Sequence, residues 1–285
     1  ILNLTKMKNS NNKVWLITGC STGFGRAFAT TALQAGYSVS VASRNISDVK
    51  DIVDAYPDSA FPVKLDVTSP DEIKAAVKST INHFGKIDVL LNNAGIGYFG
   101  AIEESDESEI RRMFEINFFG LANLTKEVLP YMRSQKSGHI INVASIGGLT
   151  SFPALGYYHA TKYAVDGFSE SLSKEISHLG IKVTIIAPGA FRTDWAGRSA
   201  NETPGKISDY TETAEATKVW LRNKDGNQPG NPIKAAEAVI KVVESPNPPL
   251  RLLLGHDAME VARDKVALLN KDFDEWESTT LNVNF

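Results

Sequence analysis

Seven short β-branched and apolar runs alternate along this chain with longer stretches of helical periodicity. The runs are Val14–Thr18, Tyr37–Ala42, Ala60–Leu65, Ile87–Leu91, His139–Ala144, Ile181–Ala187 and Leu250–Leu254. The helical stretches fall at about 24–35, 47–55, 70–84, 106–132, 154–179 and 232–243. Strand, helix, strand in that order requires right-handed crossovers and yields a parallel sheet buried on both faces. The expected fold class is therefore α/β, a doubly wound parallel sheet of about seven strands. Punctuation agrees with this reading. Ser69-Pro70 places proline at a first helical position, and Gly36 and Gly180 sit where helices should stop.

No Pro- or Ser-rich linker divides the pattern, so residues 13–285 read as a single domain. Residues 1–12 read as a leader or a cloning remnant, with Met7 as a candidate natural start. Residues 190–230 form a polar and aromatic excursion (Phe191, Trp195, Tyr210, Trp220), too long for a plain connector and expected to be a substrate lid. Residues 256–285 form a C-terminal extension. Within it, 256–277 read as an amphipathic helix with Val261, Val266, Leu269 and Phe273 on one stripe.

Composition excludes several classes. With 30 Lys+Arg against 33 Asp+Glu, the chain is too balanced for nucleic acid or an anionic membrane as its main partner. One cysteine, Cys20, forms no internal disulfide framework and no multi-cysteine metal site. His83, His139, His159 and His178 do not fall at metal-ligand spacing, so no metal is expected. The apolar runs are far shorter than a bilayer span, and no secretory signal is legible. A cytoplasmic, reducing compartment is expected.

The segment Thr18-Gly19-Cys20-Ser21-Thr22-Gly23-Phe24-Gly25 follows the first run and opens a helix. Glycines there permit a tight turn and close approach of a pyrophosphate onto unpaired N–H groups. A generic strand-to-helix turn is the plainer alternative. Gly95-Ile96-Gly97-Tyr98-Phe99-Gly100 matches G-x-G-x-x-G but opens no helix on its third glycine, so it reads as loop glycines. Ser43 ends the second run with Arg44 beside it, where an acidic residue would hold a ribose 2′-hydroxyl. An arginine fork suits a 2′-phosphate, which points to NADP(H), although a solvated surface arginine is the alternative. Cys20 reads as a small buried residue in preference to a redox sensor.

Tyr158 and Lys162 lie four residues apart in one helical stretch and share a face. A positive charge about 4 Å from a phenol is worth roughly 4 kcal/mol at an effective dielectric of 20, or about three pKa units, with desolvation opposing. Such a phenol is suited to general acid–base work. Ser145 closes a strand at its C-terminal edge, where open α/β sheets place their chemistry.

Taken together, Thr18-Gly19-x-x-x-Gly23-x-Gly25, Asp66, Asn92-Asn93-Ala94-Gly95, Asn117, Ser145, Tyr158-x-x-x-Lys162 and Pro188-Gly189 followed by Thr193 resemble the short-chain dehydrogenase/reductases. The resemblance covers residues 13–195 and implies a Rossmann-type fold. It implies Tyr158 as general acid or base, Lys162 lowering its pKa and binding the nicotinamide ribose, Ser145 positioning the carbonyl, and Asn117 holding a relay water. For the cofactor it implies Gly19, Ser21, Thr22, Gly23, Phe24, Gly25, Ser43, Arg44, Asp66, Val67, Asn93, Ala94, Gly95, Tyr158, Lys162, Pro188, Gly189, Phe191 and Thr193. Asp66 would bind the adenine amine, or else cap a turn. Ser145, Tyr158, Phe191 and Trp195 are the expected substrate contacts.

The expected function is an NADPH-dependent carbonyl reductase acting on a ketone or aldehyde with an apolar body. An NAD-linked secondary-alcohol dehydrogenase working oxidatively is the alternative. A non-catalytic NADP-binding regulator is a third reading, disfavoured because Tyr158 and Lys162 are both kept. Expected partners are a small carbonyl or alcohol substrate and further copies of the chain as a homodimer or homotetramer, with neither nucleic acid nor membrane.

Overall fold

A computed structural model describes residues 12–285. The expected leader lies outside the described residues, Asn12 excepted. Seven strands form the main sheet: β1 (Val14–Ile17), β2 (Ser38–Ser43), β3 (Ala60–Lys64), β4 (Val89–Asn92), β6 (Gly138–Val143), β7 (Ile181–Pro188) and β9 (Arg251–Leu254). Their spatial order is β3-β2-β1-β4-β6-β7-β9, and every pairing is parallel. Chain direction across the sheet reverses between β1 and β4. That is the switch point at which such sheets open a crevice beyond the carboxyl ends of their strands.

Helices cover both faces: α1 (Gly23–Gln34), α2 (Lys50–Ala55), α3 (Pro70–Phe84), α4 (Glu107–Phe114), α5 (Leu121–Gln135), α6 (Gly156–Ile176), α7 (Ala216–Asn223), α8 (Pro232–Glu244) and α9 (His256–Leu281). In β1, Trp15 and Ile17 enter a core layer with Phe28 of α1 and Val239 of α8. Leu16 enters the opposite layer with Leu124 and Val128 of α5 and Leu172 of α6. Two covered faces explain why the strand is buried throughout, each full Leu or Ile burial contributing about 1.5–3 kcal/mol. Ser69 caps α3 by accepting from the Glu72 N–H at 3.3 Å, with Pro70 at the first helical position. Among the described residues, no helix is long and apolar enough to cross a membrane.

Three features differ from the sequence expectation. The helix expected over 106–132 is broken by a π-helical turn at Glu115–Gly120, which separates α4 from α5. The extra residue of a π turn re-aims the side chains within it, and here Asn117 is turned onto the Ile96 main chain. Secondly, Gly97–Phe99 is a strand, β5, and pairs in parallel with β8 (Ala200–Glu202) in a separate two-stranded sheet. A Cβ on Gly97 would stand 2.8 Å from that of Ala200, so glycine is what lets the two segments meet. Thirdly, α9 runs four residues past the expected end at 277 and buries Ala258 and Ala262, against Ile146, Leu149 and Leu253. Of the expected stripe, Val261 packs on this cluster and Leu269 is half-buried, while Val266 at 57% and Phe273 at 63% are exposed, because the helix continues beyond the body it packs on.

Candidate active site

At the sheet's switch point lies a cleft of about 1290 Å³. One end is the glycine turn. Gly19 and Gly23 adopt left-handed φ of +70° and +54°, which side chains disfavour. Gly25 stands so close to the Gly19 carbonyl that a Cβ would collide with it. Thr18 Oγ1 accepts from the N–H groups of Asn93 and Ala94 at 2.9 Å, and Asn93 Nδ2 donates to the Thr18 carbonyl at 2.9 Å. These bonds tie the turn after β1 to the segment after β4, across the switch point.

Ser43 and Arg44 line the cleft at the end of β2. Arg44 forms no ion pair among the described residues and is exposed. Asp48 lines the same cleft. Asp66 Oδ1 accepts from the Thr68 N–H at 2.9 Å and hydroxyl at 2.7 Å, so its carboxylate caps a turn, the plainer of its two expected roles, while also lining the cleft. Val67 packs against Gly120, where a Cβ would stand 2.8 Å from Val67 atoms.

Towards the other end stand Ser145, just beyond β6, and Tyr158 and Lys162 on α6, all lining the cleft. Ser145 Oγ accepts from the Gly147 N–H at 3.0 Å, which pins the hydroxyl at the start of a short 3-10 turn. Lys162 Nζ donates to the Val143 carbonyl at 2.9 Å and lies 5.7 Å from the Tyr158 ring centroid. The ammonium thus sits over the ring and is anchored on β6. Burial pushes the Tyr158 phenol up to about 12, and the Ser145 hydroxyl acts in the opposite direction. The direction is opposite to the lowering expected from the Lys162 spacing, because desolvation is the largest cause. Burial also pulls Lys162 down to about 8, opposed by the Asp166 carboxylate.

The remaining expected residues divide. Pro188, Gly189, Phe191, Thr193 and Trp195 line the cleft from the segment after β7. Phe191 packs on Phe24 with ring centroids 5.1 Å apart, at the glycine-turn end of the cleft. Trp195 stands beside Tyr158. Asn117 and Gly25 do not line the cleft; Asn117 binds Ile96 N–H and O at 2.8 and 2.9 Å and Thr161 Oγ1 at 3.2 Å. His159 is buried between the Gly147 carbonyl and the Phe152 N–H, each at 2.9 Å, and locks the loop before α6. Cys20 is buried, its thiol pushed up to about 12 by burial, which is opposite to what a redox sensor needs.

Two participants were not anticipated. Asp257, in the first turn of α9, accepts from the Ala190 N–H at 2.7 Å and holds the Pro188–Ala190 corner; nothing local signals a contact 67 residues away. Asp166 lies one turn beyond Lys162, and its i, i+4 spacing was the available signal.

A family model described as short chain dehydrogenase matches residues 13–204. The chain belongs to the short-chain dehydrogenase family. Oxidoreductase BOA17 of Botryotinia fuckeliana is 40% identical over 270 residues, covering 94% of this chain and 98% of that one. A 3-ketodihydrosphingosine reductase of Bacteroides thetaiotaomicron is 37% identical over 248 residues, covering 85% and 88%. A crystal structure of a short-chain dehydrogenase from Streptomyces avermitilis superposes with a TM-score of 0.90 at 38% identity, covering 97% of this chain and all of that one. A Burkholderia phymatum homologue in complex with NAD gives 0.79 at 25% identity, covering 91% and 95%. An alcohol dehydrogenase from Thermococcus sibiricus complexed with 5-hydroxy-NADP gives 0.71 at 26%, covering 86% and 96%.

This short-chain dehydrogenase is an NAD(P)-dependent oxidoreductase, and its residues fit such a cofactor. The first turn of α1 contains no acidic residue, and Thr22 supplies no side-chain cap, so the helix N-terminus keeps its attraction for a pyrophosphate. The close approach at Gly19 and Gly25 provides the cradle. From there the cleft runs to Ser145, Tyr158 and Lys162, so the residues that would hold the dinucleotide and the acid–base group line one continuous cleft.

Proposed function

We propose that this short-chain dehydrogenase is an NADPH-dependent carbonyl reductase acting on a ketone or aldehyde with an apolar body. The observation that carries the reading is one cleft that brings Ser145, Tyr158 and Lys162 together beyond the glycine turn, with the Tyr158 phenol buried among them. A protonated phenol is a general acid, as reduction of a carbonyl requires.

The bound nicotinamide supplies the hydride. Ser145 donates its hydroxyl hydrogen bond to the carbonyl oxygen and orients it. Tyr158 gives its proton to that oxygen as negative charge develops there. The Lys162 ammonium, 5.7 Å from the ring centroid, stabilises the phenolate that remains. Trp195, backed by the buried Phe99, and the Ile96 and Leu221 side chains supply an apolar wall that excludes water from the transfer. The Bacteroides relative, named as acting on 3-ketodihydrosphingosine, supports a ketone as the reacting group.

Arg44 supports NADPH. It is exposed in the cleft at the end of β2 with no carboxylate bound to it among the described residues, which leaves its guanidinium able to meet a 2′-phosphate. Asp48, on the same cleft, favours the alternative of an NAD-linked alcohol dehydrogenase, since a carboxylate repels that phosphate.

Nicotinamide absorbance followed with aryl ketones, keto esters, steroids and retinal, with NADPH and NADH offered separately, tests the reading. NADPH consumption that disappears in Tyr158→Phe supports it. Preference for NADH removes the Arg44 argument and leaves the acid–base one. Cofactor binding without turnover of any carbonyl, in a chain that oxidises no alcohol either, supports the regulator.

A further inference from the structure

Helix α6 carries three ionisable groups one turn apart, Tyr158, Lys162 and Asp166, and the chemistry above uses only the first two. The Asp166 side chain is 7% exposed. Its Oδ1 accepts from Arg251 Nε at 2.8 Å and Nη2 at 2.5 Å, Arg251 being the first residue of β9. Its Oδ2 is buried with no hydrogen-bond partner among the described residues. Gly148 makes room for it, since a Cβ there would collide with Oδ2 and stand 3.0 Å from the Lys162 carbonyl.

For stability alone this is a poor arrangement. A buried ion pair is often matched or bettered by apolar residues of similar volume, and an unsatisfied carboxylate oxygen adds a further penalty. What it supplies is a negative charge one turn from a buried ammonium. Lys162 has three donors, and Val143 O is the one acceptor its Nζ has among the described residues. The other charged and titratable groups about the pair are Tyr158 and Glu170 on α6 and Arg251 on β9, Glu170 lying 4.0 Å from Arg251. β6 and the turn at Gly148 contribute only neutral atoms, the Val143 carbonyl and the Gly148 backbone. Asp166 is thus the carboxylate that opposes the loss of charge burial would impose on Lys162.

We propose that Asp166, anchored by Arg251, is a positioning residue that keeps Lys162 charged, and acts on Tyr158 only through Lys162. Its consequence for turnover rests on the reductase reading; its effect on Lys162 does not.

The test is a pH titration of Lys162 by NMR on the full chain labelled with ε-13C lysine, its signal assigned by loss in Lys162→Arg. In Asp166→Asn the Lys162 midpoint is expected to fall by about one pH unit or more, because an opposite charge has been removed. Arg251→Gln is expected to move it in the same direction, since an unpaired buried Asp166 takes up a proton and loses its charge. The double variant should fall no further than Asp166→Asn. An unmoved midpoint in Asp166→Asn, even with a lower melting temperature, would make the ion pair merely structural and overturn the proposal. Should Asp166→Asn not fold, an unmoved midpoint in Arg251→Gln overturns it equally, Arg251 being on the sheet's edge strand. A wild-type chain that reduces no carbonyl defeats the reductase reading, while the Lys162 titration still decides this one.

Discussion

The indole of Trp195 lies against the phenol ring of Tyr158, with centroids 4.9 Å apart and planes inclined at 52°. The indole also meets Phe99 at 5.5 Å, edge to face. One residue from the segment after β7 therefore joins the small β5–β8 sheet to the acid–base group, and contributes to the desolvation that holds Tyr158 at about 12.

Replacing this indole exposes the phenol. In Trp195→Ala the Tyr158 pKa should fall toward the ordinary value of about 10. Since the protonated phenol is the acid, activity is lost as pH rises through its pKa, so the basic limb of reduction should move to lower pH. The lost aromatic contact, worth about 0.5–1.5 kcal/mol, should raise KM for apolar ketones by roughly 2- to 10-fold. Steady-state profiles across pH check both, and an unmoved limb would refute the link between burial and acid strength.

Arg44→Glu should invert coenzyme preference. A charge-assisted bond to phosphate is worth about 1.5–3 kcal/mol, so NADPH affinity should drop by roughly 10- to 150-fold while NADH affinity holds or rises. Fluorescence titration with the two coenzymes measures this directly. Equal loss for both would show that Arg44 does not read the 2′ position.

Gly25→Ala should cost coenzyme binding more than a surface substitution does, because its Cβ would collide with the Gly19 carbonyl and displace the turn. A loss of at least tenfold in affinity for either coenzyme is expected, corresponding to about 1.4 kcal/mol. Isothermal titration with NADPH and NADH checks it, and unchanged affinity would show that the turn can relax.

His139 makes folding stability depend on pH. Its Nε2 pairs with Thr184 Oγ1 at 2.9 Å, and that hydroxyl donates to the Pro249 carbonyl, so the imidazole must donate and its buried Nδ1 is left without a partner. Burial, with help from Lys182 and Lys13, pulls its pKa down to about 4. The unfolded chain takes up this proton first, near pH 6.5. Stability is therefore complete above that pH and is lost as pH falls from about 6.5 through 4, by up to about 3 kcal/mol. Thermal melts between pH 7 and 4 should show this decline, and His139→Gln should flatten it.

The seven main-sheet strands were legible because each is a local run of residues suited to burial on both faces. The glycine turn was legible because Gly19, Gly23 and Gly25 answer local needs of φ and close approach. Tyr158 and Lys162 were legible because helical spacing places them on one face. The orientation of the ammonium was not, since it depends on Val143, which β6 brings from 19 residues away. Strand β5 escaped notice because three residues show no usable alternation and its partner lies a hundred residues on. The apolar stripe of α9 was visible as periodicity, but periodicity does not say where the supporting surface ends.

The sequence by itself determined the parallel sheet, the phosphate-suited turn and the Ser145, Tyr158 and Lys162 set, since each follows from local propensity, spacing or chain order. Only the tertiary structure decided that the Tyr158 phenol is desolvated, that Trp195 flanks it while Phe191 packs on Phe24, and that Asp166 is tied to Arg251 across 85 residues. Those outcomes depend on desolvation and on charges brought together by folding. Both vary with distance through space, which the order of residues along a chain does not specify.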